Sequence, residues 1–88
     1  MRRFTHKKDD QWILDEGIEL KDAFEKLAKF EEFQAKMIAS QSEIVEELAK
    51  LRAEGKEKTV QYRELFTKKL LTNNILVSMR YHGIKDDE

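Results

Sequence analysis

Between Trp12 and Leu51 apolar residues recur at helical spacing over about half a helix circumference, and nothing else in the chain constrains its fold as much. With successive residues turned by about 100°, one half of the wheel carries Ile13, Leu20, Phe24, Leu27, Phe30, Phe33, Met37, Ile38, Ile44, Val45, Leu48 and Leu51. Glu25, Glu32, Lys36, Glu43, Glu47 and Lys50 occupy the other half. A two-stranded coiled coil needs only a narrow seam, whereas so wide a stripe must touch at least two neighbouring helices. The pattern therefore predicts a helical bundle.

Local signals agree. Acid-first pairs four residues apart recur at Asp22–Lys26, Glu25–Lys29, Glu32–Lys36, Glu46–Lys50, Glu54–Lys58 and Glu64–Lys68. Each is worth only ~0.2–0.5 kcal/mol, but in this orientation they favour helix. Asp9 or Asp10 suits an N-cap, and Asp15 and Glu16 suit the positive end of a helix. Gly55 follows a strongly helical run and precedes a polar stretch, as a helix-terminating glycine does. Thr59 can then cap a second helix, which Gly83 ends. The reading is all-α: a long helical hairpin with helices at about 10–54 and about 59–81, forming a bundle by dimerisation.

Two features compete with it. Ser40-Gln41-Ser42-Glu43 matches a capping box that would start a new helix, but no glycine or proline assists a turn there, which favours a continuous helix. Ile75, Val77, Met79 and Tyr81 alternate like a strand with nothing to pair with, so helix is favoured again. Asn73 and Asn74 sit within this segment. They either both face solvent or cap a break, or one of them lies at an interface and sets helix register.

Length gives the bundle its consequence. A helix of ~45 residues would run ~67 Å and one of ~23 residues ~35 Å, so the second covers only about half of the first. Trp12, Ile13, Leu20, Phe24, Leu27 and Phe30 are thereby left for another chain, and Phe33 on the same stripe joins them as candidate interface. The second helix adds Leu70, Leu71, Ile75, Leu76 and Met79, too many for one stripe. These twelve residues are the candidate interface.

With 88 residues and no cysteine, the chain is read as a single domain, 1–88, without disulfides or thiolate metal sites. Partner chains are the remaining aid to so small a core. Net charge is −1 but unevenly placed: +4 over residues 1–8, −7 over 9–57, +5 over 58–85 and −3 over 86–88. An acidic first helix and a basic second attract each other within a hairpin or across an antiparallel pair. The basic arm, 1–8, and the acidic tail, 83–88, are expected to be disordered. No window approaches the ~18 apolar residues of a membrane span, and Asp9-Asp10 follows the basic start where a signal peptide needs an apolar run. The expected location is the cytoplasm.

Patterns of catalysis are not found in the sequence. It has no glycine-rich phosphate loop, HExxH or GxSxG, and the bundle metal motif Glu-x-x-His is missing. His6 and His82 lie in the terminal segments, and adjacent carboxylates such as Glu31/Glu32 point about 100° apart on a helix. The expectation is a non-enzyme with no cofactor, metal or small-molecule substrate. Its function would be that of a helical protein–protein interaction module — adaptor, assembly factor or small regulator — paired with itself or with another helical protein. The alternative is a small nucleic-acid-binding regulator using Arg2, Arg3, Lys7 and Lys8 together with the basic second helix.

Overall fold

The computed structural model of the chain describes residues 1–86. Two short strands precede two long helices: β1 (Thr5–Lys8), β2 (Gln11–Leu14), α1 (Leu20–Ala53) and α2 (Val60–Tyr81). The chain divides into two compact units, Met1–Glu31 and Glu32–Glu88, and α1 contributes residues to both.

The first unit corrects the all-α reading. Residues 5–14, expected to be a disordered arm and the start of a long helix, form an antiparallel pair in which Thr5 faces Leu14 and Lys8 faces Gln11. Asp9 and Asp10 do not cap a helix. Both adopt positive φ, 50° and 64°, which closes the strands through a two-residue turn of the kind whose twist matches a hairpin. Aspartate tolerates this region better than most side chains. The Asp15 N–H donates to the Phe4 carbonyl at 2.8 Å, and the His6 ring Nδ1 is hydrogen-bonded to Asp15 Oδ1, so Asp15 also serves the hairpin rather than a helix start. Helix begins only at Leu20, after Gly17, with the Glu19 carbonyl accepting from the Asp22 and Ala23 amides.

The second unit bears out the local reading of the helices. α1 runs without a break through Ser40, and α2 runs through residues 75–81. Thr59 caps α2, its hydroxyl accepting from the Tyr62 amide at 3.2 Å. At Gly55 (φ 72°) the Lys56 N–H reaches back to the Leu51 carbonyl and the Gly55 N–H to that of Arg52. This is the bonding pattern of a helix end that requires a left-handed residue. The same pattern recurs at Gly83, with Ile84 bonded to Met79 and Gly83 to Arg80. The tail folds back as far as it is described: Arg80 donates twice to the Asp86 carboxylate, and Gln34 donates to the Lys85 carbonyl. Asp87 and Glu88 lie outside the described residues.

Burial follows a heptad line. On α1 the more buried positions include Gln34, Met37, Gln41, Ile44, Leu48 and Leu51, and on α2 Tyr62, Leu65, Lys69, Thr72, Leu76 and Met79. Alternating steps of three and four are the spacing of a two-helix seam. The cross-helix hydrogen bonds Gln41 to Asn73 (2.5 Å) and Arg52 to Tyr62 (2.9 Å) join residues whose numbers have the same total, as an antiparallel register demands. Of the two roles considered for Asn73, it therefore has a register contact, made within the chain itself. Leu76, 2% exposed, is the most buried side chain.

Candidate functional site

The twelve candidate interface residues fall into three groups. Leu76 and Met79 lie in the seam between α1 and α2, so they are core residues and not a free surface. Phe33, Leu70, Leu71 and Ile75 are exposed in the second unit. Trp12, Ile13, Leu20, Phe24, Leu27 and Phe30 are exposed in the first, with Trp12 and Ile13 carried by β2 instead of a helix. A helix of 34 residues also changes the overhang. Against the 22 residues of α2 it leaves twelve unmatched residues, about 18 Å of helix.

Within the first unit, period-two alternation puts Arg3, Thr5 and Lys7 on the strand face that carries Trp12 and Leu14. The Arg3 guanidinium lies 5.5 Å and the Lys7 ammonium 5.8 Å from the centre of the Trp12 ring. Exposed cation–π contacts of this kind contribute about 0.5–1 kcal/mol each. Lys26 of α1 sits 4.3 Å over the Phe4 ring. Phe4 and Thr5 join Ala23, Lys26, Leu27 and Phe30 in lining a groove of about 280 Å³. Neither Phe4 nor Lys26 was among the candidate interface residues read from the sequence. Phe4, next to a disordered-looking basic run, shows its role only once strand pairing is known.

Electrostatics at the two ends of α2 is local. Lys56 donates to Glu54, at 3.0 Å, and holds that carboxyl below its usual range. The hydrogen bond with Tyr62 raises the Arg52 guanidinium further, and Arg80 lowers the Asp86 carboxyl. Among the described residues no cluster of three or more His, Asp or Glu side chains is placed to hold a metal ion, and no helix is long and apolar enough to cross a membrane.

The surface that remains is apolar and aromatic, edged by cations in the first unit and by both helices in the second. Comparison with protein-family models, with curated proteins and with solved structures finds no match.

Proposed function

We propose that the chain is a helical protein–protein interaction module, an adaptor, assembly factor or small cytoplasmic regulator, that acts as a homodimeric bundle. One observation carries the reading: Trp12, Leu20, Phe24, Leu27 and Leu71 are each 54–64% exposed. Full burial of such a side chain contributes ~1.5–3 kcal/mol, so covering the exposed part of all five contributes of the order of 5–9 kcal/mol. That approaches the stability of a whole domain. A second copy is the simplest cover, since twofold dimers are the commonest assembly. Sedimentation equilibrium at micromolar concentration tests it. The expected species has about twice the 10.5 kDa chain mass, and a helical monomer refutes the dimer.

The placement of Arg3 and Lys7 around Trp12 favours a second reading, a small nucleic-acid-binding regulator in which Arg2 and Lys8 add phosphate contacts. An exposed aromatic ring between cations suits stacking on an unpaired base. Trp12 is the single tryptophan, so its fluorescence reports on this face alone. Quenching by a short single-stranded oligonucleotide that weakens steeply with salt supports this reading. Unchanged emission at about 20 mM salt discards it.

A further inference from the structure

At the start of α1, within the first unit, Leu20, Phe24, Leu27 and Glu31 follow one another at steps of four, three and four. That is the spacing of a coiled-coil seam. With successive residues turned by about 100°, Leu27, Leu20, Glu31, Phe24 and Ala28 fall in that order within about 100° of the helix surface, and Lys21 lies about 20° further on. The other charges of this stretch, Asp22, Glu25, Lys26 and Lys29, lie on the rest of the circumference. Beside this arc, overlapping it only at Leu27, α1 shares a groove with Phe4 and Thr5 through Ala23, Lys26, Leu27 and Phe30. Leu20, Phe24 and Leu27 are nevertheless 61%, 64% and 54% exposed. The arc is thus an open seam that holds one charge, Glu31, and is edged by another, Lys21.

We propose that this arc is the contact surface for a second copy of the chain, the starts of the two α1 helices lying antiparallel about a twofold axis perpendicular to them. The proposal rests on the homodimer reading and deepens it by naming a surface that includes Leu20, Phe24 and Leu27, three of the side chains that carry that reading. The two charges identify the occupant. Lys21 and Glu31 are ten residues apart, so about 15 Å separates them along their own helix and they do not pair within one copy. In an antiparallel pair each layer joins residues whose numbers have a constant total. Setting Phe24 of one copy against Leu27 of the other makes two central layers, both apolar. In the same register Leu20 of each copy faces the methylene stem of Glu31 in the other, with Lys21 next to that carboxylate. A parallel copy would set Lys21 on Lys21 and Glu31 on Glu31, and a partner of one charge sign would be repelled by one of the two. The contact spans three turns, about 18 Å of helix. It is small beside the roughly 800 Å² per partner of a standard interface, so dissociation in the micromolar range is expected.

The test follows dimerisation of the full chain by sedimentation equilibrium, with far-UV circular dichroism to follow helix content. Phe24→Glu, at the centre of the arc, is expected to weaken dimerisation by roughly tenfold or more with helix content unchanged, while Leu71→Glu, in the second unit, stays dimeric. Charge exchange reads the geometry without altering an apolar residue. Lys21→Glu and Glu31→Lys are each expected to weaken dimerisation about fivefold, and the double variant Lys21→Glu/Glu31→Lys to restore it. A dimer that survives Phe24→Glu but not Leu71→Glu overturns this surface and leaves the homodimer standing. Losses that accumulate in the double charge variant, instead of cancelling, overturn the antiparallel pairing. A monomeric unmodified chain overturns both the surface and the homodimer.

Discussion

In the unit beginning at Glu32, the buried hydrophobic side chains Ile44, Leu48, Leu51, Leu76 and Met79 all lie on a heptad line, whereas the unit ending at Glu31 fully buries no hydrophobic residue. The two units draw on a similar stock of leucine and phenylalanine. They differ in what faces that stock. In one, α2 supplies side chains at matching intervals, and each seam residue is enclosed by others. In the other, two four-residue strands and the residue before them offer Phe4, Thr5 and Leu14, too little to enclose Leu20, Phe24 and Leu27. A lone two-stranded hairpin is marginal in water and needs a packed face to persist. Equal hydrophobicity thus yields a core in one place and a surface in the other.

Leu76→Ala gives the largest effect that would sharpen the contrast. Truncating this 2%-exposed side chain is expected to cost ~2–5 kcal/mol in urea unfolding followed by helical circular dichroism. Phe24→Ala, where 64% of the residue is exposed, should cost less than about 1 kcal/mol in dilute solution. Equal losses would break the distinction between the units. If the cost of Phe24→Ala grows with protein concentration, the first unit is being covered by another copy.

Next in size is the hairpin turn. Asp10 holds φ at 64°, a conformation glycine adopts without penalty, so Asp10→Gly should stabilise the strand pair by ~0.5–1 kcal/mol. Slower amide exchange across Thr5–Lys8 and Gln11–Leu14, with the unfolding midpoint of the helices unchanged, is the expected result. A shift of both together would mean that the units unfold as one.

The smallest effect concerns the end of α2. The Arg80 guanidinium, by hydrogen bonding, holds the Asp86 carboxyl below the usual carboxylate range. A carboxyl lowered on folding contributes stability that is present above its unfolded value and lost as the pH falls through its folded one. Acidification below about pH 4 should therefore loosen the fold-back, seen as shifts in the Gly83 and Ile84 amide resonances. In Asp86→Asn those shifts should disappear; their persistence would place the titrating group elsewhere.

Much of the second unit was legible before any coordinates. Gly55, Thr59 and Gly83 mark helix ends by backbone chemistry that acts over a few residues, and the observed limits of α2 coincide with those expected. The first unit was misread because Trp12, Ile13 and Leu20 also fit a helical wheel. A local signal was nonetheless present: the acid-first helix pairs start only at Asp22, and Gly17 interrupts the stretch before it. Strand pairing between Thr5–Lys8 and Gln11–Leu14 leaves little periodicity, since each strand has four residues and only two turns of alternation. The candidate interface was half legible for a related reason. Apolar spacing identifies which residues want cover, but Leu76 and Leu71 look alike until a register shows which one faces α1.

By itself, the sequence determined where the helices stop, that α1 runs unbroken through Ser40, and that more apolar surface exists than two helices need. All of these follow from propensity, capping and spacing, which depend on neighbours a few residues away. Tertiary structure alone decided that residues 5–14 pair as strands, that Leu76 and Met79 are core, and that Gln41 meets Asn73 across an antiparallel heptad seam. Those outcomes depend on which distant residues come to lie opposite each other, and that choice is made by packing between segments, not within one.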